Sequence, residues 1–295
     1  MFDFRYHVAS LAAVFVALVI GILVGVGLSG KGFVDDAERQ NLTDEIAALK
    51  QERDDADAAL KAVDRRQQAA EDYAEKTYPV LAERRLQGQR IAVLFVGSVD
   101  RPLLLALDRS LERDAGGRIA RVRALRVPVD PEAIVEALRR TPALVGLAGP
   151  DSLDDVGSVL AQELVDGGRT PVWDALAGTL VDEQEGSPTA PADAVVVARS
   201  ERPQRGATAR LLTSLYESLA RSGAPAVGVE ADAQAPSAIP AFRAAGLSTV
   251  DQVDAPAGRL ALVLLLAGGD RGSYGVGETA RDGVLPPVET LPAAP

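Results

Sequence analysis

The 295-residue chain contains no cysteine, one methionine (Met1) and one histidine (His7). Without cysteine there are no disulfides, no thiolate nucleophile and no thiolate metal or iron–sulfur centre. With its single histidine at position 7, the rest of the chain has no Ser-His-Asp triad and no imidazole metal site. Lysine is scarce as well, and no function follows from that. Anionic partners are disfavoured by a formal net charge of −11, because nucleic acid or acidic lipid would be approached against repulsion with no counterion release to drive binding. No catalytic constellation stands out, so the expectation is a non-enzymatic protein with no cofactor, no metal site and no nucleic-acid partner.

What the chain does have begins at Val8. From there to Ser29 run 22 residues without a charge, VASLAAVFVALVIGILVGVGLS. At ~1.5 Å per residue they cover a ~30 Å hydrocarbon core, so residues 8–29 read as a transmembrane helix in contact with membrane lipid. A signal peptide is the alternative, but such apolar regions run ~7–15 residues before an Ala-x-Ala-like cleavage site, which is missing here. Arg5 on one side is balanced by Lys31 and Arg39 on the other, which leaves the positive-inside rule tied. Because long C-terminal domains translocate largely regardless of flanking charge, the expectation is a cytoplasmic head (1–7) and an extracytoplasmic body. Small residues recur at every fourth position; Ala13, Ala17, Gly21 and Gly25 are candidates for close helix–helix association.

A long polar stretch follows without glycine or proline as far as Lys76, assigned with its continuation to a coiled-coil stalk over 35–86. Leu42, Ile46, Leu49, Arg53, Ala56, Leu60, Val63, Gln67, Ala70 and Ala74 alternate steps of four and three, the spacing of a heptad seam. Leu42, Ile46, Leu49, Leu60 and Val63 are its large apolar members. Together with the small-residue ladder they predict a homo-oligomer. An extended single helix held by opposite charges is the other reading. Pro79 is expected to end this helix or to start another. From Asp35 to Lys76 the stalk is ~60 Å long.

From Arg90 onward, apolar runs alternate with amphipathic ones, the pattern of a parallel sheet covered on both faces. The runs are IAVLFVG, RVRALRV, ALVGLAG, a short strand around Val172 and Trp173, AVVVAR, PAVGVEA and LALVLLLAGG. EQEGSPTAPAD reads as a linker or long loop, leaving open one α/β domain over 88–280 or two lobes meeting near 183–192. A flexible Pro-rich tail is expected over 281–295. The fold class is thus α/β: a transmembrane helix and coiled-coil stalk, then a Rossmann-like, mainly parallel body. Strand carboxyl ends, where ligands sit in such sheets, carry Gly97 and Ser98, Gly149 with Asp151, Asp174, Glu230 with Asp232, and the loop from Gly268 to Glu278. That loop matches no phosphate-binding motif and reads as a glycine-rich turn closing the domain. Asp151, Asp154 and Asp155 fit helix capping, Trp173 the core, and Arg121 and Arg123 a solvated strand face.

FRYHVASLAAVFVALVIGILVGVG, from Phe4 to Gly27, followed by the heptad helix and by a body ending in GGDRGSYG, resembles the mycobacterial copper transport protein B (MctB-like) family. The resemblance spans the whole chain in organisation. It implies a role in copper ion transport (efflux) and, from the family's name, an outer membrane. Copper prefers thiolate, thioether and imidazole ligands, which this chain lacks outside positions 1 and 7, so a copper partner follows from the resemblance alone. The residues themselves favour an anchored envelope scaffold or regulator, for instance of cell-wall enzymes, with an envelope protein as partner.

Overall fold

A computed structural model describes residues 4–28, 33–149, 152–187, 189–231 and 236–288. The chain divides into two compact units, Met1–Ala69 and Ala70–Pro295.

The first unit is helical. Helix α1 (Phe4–Leu28) contains one stretch, His7–Gly27, long and apolar enough to cross a membrane. Helix α2 (Phe33–Ala82) begins in this unit and is unbroken for 50 residues, as a sequence rich in Ala, Leu, Glu, Arg and Gln without glycine favours. Pro79 does not break it. The proline lies in the last turn, where the Thr77 hydroxyl donates to the Tyr73 carbonyl (2.8 Å) and packing holds the segment in place. Tyr78, Ala82 and Leu86 belong to the core of the second unit, so the end of α2 is part of the body.

That body is one seven-stranded sheet in the order β3-β2-β1-β4-β5-β6-β7. The strands are β1 (Arg90–Val96), β2 (Arg118–Leu125), β3 (Val181–Gly186), β4 (Ala194–Arg199), β5 (Ala226–Val229), β6 (Ser248–Val250) and β7 (Ser273–Tyr274). All pairings are parallel except that of β3 with β2. Burial on both faces explains why β1 and β4 are almost uniformly apolar. One face is covered by α4 (Pro131–Arg139), α5 (Leu153–Asp166), α6 (Pro171–Ala175), α7 (Gly206–Arg221) and α8 (Ile239–Ala244). The other is covered by the end of α2, α3 (Arg101–Asp108) and α9 (Pro256–Leu266).

Several expectations are corrected. ALVGLAG forms a 3-10 turn (Pro142–Leu147), and Val172 and Trp173 lie in α6 rather than a strand. LALVLLL is the buried helix α9, entered through Pro256; periodicity does not separate a fully buried helix from a buried strand. EQEG is no linker. It forms most of β3, and one sheet runs unbroken on either side of residues 183–192, which removes the two-lobe alternative. Part of the expected tail is also tied down: Asp282 accepts from the Ser273 amide (2.8 Å), and Leu285 packs on the core, while 289–295 lie outside the described residues.

Candidate functional site

In this sheet the strand order reverses between β1 and β4, so their carboxyl ends flank the crevice where an open α/β sheet would take a ligand. The chain fills that crevice itself. Ser200 donates its amide to the Val96 carbonyl (3.0 Å) and its hydroxyl to that of Ser98 (2.6 Å). Gly97 has φ +102°, and a Cβ there would stand 2.5 Å from both Glu201 Cγ and Ser200 Oγ. At the start of α3, where a phosphate would meet free amides, the Asp100 carboxylate takes the Leu103 amide (3.0 Å).

Two further acids beyond strand ends, Glu230 and Asp251, are engaged in the same way. Glu230, at the end of β5, accepts from the Ser237 hydroxyl and the Ala238 amide, both 2.8 Å at the nearest oxygen. Asp251, after β6, accepts from the Gly277 amide (3.0 Å), the Thr279 hydroxyl (2.6 Å) and the Ala280 amide (3.0 Å). The glycine-rich loop therefore does point amides at an anion, and the anion is the chain's own carboxylate. Asp174 is exposed in α6, and Asp154 and Asp155 occupy the first turn of α5, where the helix dipole favours them. A Cβ at Gly149 would stand 3.9 Å from the Ser152 side chain, in ordinary contact. Asp151 and Asp232 fall outside the described residues.

Arg121 and Arg123 correct the sequence reading most sharply. They are 1% and 2% exposed, because β2 lies under α5 and α6 as well as beside β3. Arg121 Nη1 donates to the Glu163 carbonyl (3.3 Å), while its Nε and Nη2 find no acceptor among the described residues. Arg123 Nη1 donates to the carbonyls of Val122 (2.9 Å) and Glu185 (2.8 Å). Burial lowers both arginines, and Arg123, next to Arg121, falls to about 10. Glu163, which the sequence reading missed, is 8% exposed and receives the Val172 (3.1 Å) and Trp173 (3.2 Å) amides, capping α6. Burial raises its carboxyl. A signal was available: Glu163 sits among Leu160, Ala161, Leu164 and Val165 on the buried side of α5.

The candidate interaction residues lie in the helices. Ala13, Ala17, Gly21 and Gly25 are exposed on α1, and a Cβ built at Gly21 or Gly25 meets nothing within 4 Å. Leu42, Ile46, Leu49, Leu60 and Val63 are all exposed on α2. No group of three or more His, Cys, Asp or Glu able to hold a metal ion occurs among the described residues.

Compared with known protein families, residues 1–286 match the family described as "Copper transport outer membrane protein, MctB". The chain belongs to that family, as the signature from Phe4 to Gly27 indicated. No curated protein matches it.

Proposed function

We propose that this member of the copper transport outer membrane protein family is a membrane-anchored, non-enzymatic envelope component. In this reading it serves copper handling through assembly and partners rather than by ligating copper itself. The observation that carries the reading is a contrast. Large apolar residues stand exposed along α2, whereas the strand-end amides and acids of the body are engaged within the chain. Binding capacity is thus displayed on the helices and withheld at the sheet. Helix α1 supplies the anchor, N-terminus cytoplasmic and body extracytoplasmic, α2 acts as a coiled-coil stalk, and the body is a Rossmann-like platform. Strand order β3-β2-β1-β4-β5-β6 supports the Rossmann comparison, with an antiparallel β3 as the departure. Soft ligands for copper are confined to Met1 and His7.

A second reading, a scaffold or regulator of cell-wall enzymes with no part in copper handling, draws on the same exposed seam. Cells lacking the protein separate the two, complemented with the full chain or with a version without residues 88–288. Copper that accumulates on deletion and returns to normal only with the full chain supports the copper reading. Normal copper with altered cell shape or separation supports the scaffold and sinks the first proposal.

A further inference from the structure

Taking the anchored-assembly reading as its basis, we propose that the α2 seam is occupied by a second copy of this chain, in a parallel, in-register, two-stranded coiled coil. Leu42, Ile46, Leu49, Leu60 and Val63 are 53–61% exposed, so nothing among the described residues covers them. Their spacing puts Ile46, Arg53, Leu60 and Gln67 at a positions and Leu42, Leu49, Ala56 and Val63 at d positions. Ile at a followed by Leu at d, as in Ile46 and Leu49, is the combination that favours two parallel strands, whereas Leu60 at a with β-branched Val63 at d does not share that preference, which leaves strand number to the polar a residues. Two polar a residues, Arg53 and Gln67, restrict register and strand number at some cost in stability. In a pair, a long side chain at a can carry its head to water. At the centre of a larger bundle the Arg53 guanidinium would lose its hydration.

The flanking charges agree with this arrangement. In a parallel pair each g residue faces the e residue of the following heptad on the other helix. Glu45 then faces Lys50 of the second copy, and Arg66 faces Glu71 of the second copy; both are opposite-charge pairs. Glu52 faces Asp57 of the second copy, a like-charge pair, but Glu52 also lies beside the second copy's a-position Arg53. Within one chain Arg53 pairs with Asp54 at 2.7 Å, both side chains being more than 60% exposed. So exposed a pair contributes little and is readily exchanged. Orientation follows from the anchor. Two chains whose N-terminal spans share one membrane leave it in the same direction, whereas antiparallel pairing would place the spans at opposite ends of the stalk. Two spans cannot enclose an aqueous pore, so a copper channel lined by the chain's own helices is incompatible with this pair.

The absence of cysteine makes the test clean, since within this protein a single introduced cysteine can pair only with its counterpart in a second copy, and the linked product is identified by the mass of two chains. Full-length chains carrying Ile46→Cys or Leu60→Cys at a, and Gln51→Cys or Ala58→Cys at the outward f position, are oxidised mildly in membranes. The a variants are expected to give on the order of tenfold more linked pair than the f variants, because a disulfide needs Cα atoms within ~7 Å. Light scattering of the unmodified full chain in detergent should give the mass of two chains. Lys50→Glu should reduce the paired fraction, and adding Glu45→Lys should restore it. Equal linkage at a and f, no linkage at either, or a mass of three or more chains overturns the proposal. A monomer that still restores copper levels would sink the pair and spare the function, whereas a pair that restores neither copper nor cell shape does the reverse.

Discussion

Arg121 meets Glu163 through the wrong atom for an ion pair: its guanidinium donates to the Glu163 main-chain carbonyl at 3.3 Å, while the Glu163 carboxylate takes the amides of Val172 and Trp173. The acid is committed to capping α6, and the base is left with two nitrogens that have no acceptor among the described residues. Burial therefore disfavours the charged form of both.

The first prediction follows from that arrangement. Glu163→Ala leaves two buried amides without an acceptor and should cost roughly 1–3 kcal/mol, whereas Glu163→Gln keeps one acceptor and should cost less. The sign of the pH effect is set by a folded-state carboxyl above its ordinary value. Between the ordinary glutamate range and the raised one, the folded state holds more protons, so stability falls as pH rises through that window. Glu163→Gln should remove this slope. Denaturant unfolding read by Trp173, the sole tryptophan and 1% exposed, checks both.

A second prediction compares two glycines in the left-handed region. Gly275 has φ +137°, and a Cβ there would clash with the Asp251 carboxylate; Gly283 has φ +111° and open space around it. Gly283→Ala should cost about 1–3 kcal/mol from backbone strain alone. Gly275→Ala should cost more, because the Asp251 hydrogen bonds to Gly277, Thr279 and Ala280 are displaced together. Equal melting temperatures for the two variants would count against this account of the loop.

Continuous apolar runs made β1, β4 and β5 legible in the sequence, and uncharged length did the same for α1. Alternation misled at β2. Arg-Val-Arg-Ala is the pattern of a half-solvated strand, yet Arg121 and Arg123 lie inside because α5 and α6 cross over that face and backbone carbonyls take their protons. The edge strand β3 was illegible for the opposite reason: it is mostly polar, with Asp182, Gln184 and Glu185 exposed, and only its ladder with β2 makes it a strand. Strands β6 and β7, three and two residues long, are too short to carry a period. At the strand ends, sequence placed Glu230 correctly, whereas the glycine-rich loop follows helix α9 rather than the strand expected there, and neither gave a sign that it was already bonded within the chain.

A third prediction concerns how the end of α2 is held. Arg259 lies 4.8 Å over the Tyr78 ring and pairs with Glu75. Its side chain is 11% exposed against 60% for Glu75, so the stacking matters more than the ion pair. Arg259→Ala should loosen residues 70–82 by about 1–2 kcal/mol, seen as faster amide exchange there than in β1 and β4, while Glu75→Gln should change little. Burial pushes the Tyr78 phenol up to about 12. Stability should therefore fall as pH rises from the ordinary tyrosine range towards 12, and Tyr78→Phe should flatten that fall.

The last prediction bears on copper. A protein that ligates a metal in its folded body is stabilised by that metal in proportion to the logarithm of its free concentration over the dissociation constant. Here the body has no cysteine, histidine or methionine, and among the described residues no acidic cluster replaces them. Carboxylates and carbonyls are poor competitors for copper against softer ligands. Titrating the full chain with copper, as Cu(I) under reductant or as Cu(II), should accordingly leave the unfolding transition of the body in place, and a chelator should not lower it. Any weak binding should disappear with His7→Ala, the one imidazole available. A concentration-dependent rise in melting temperature that survives His7→Ala would show that the body holds copper after all, and the case for action through partners would then lose its chemical basis.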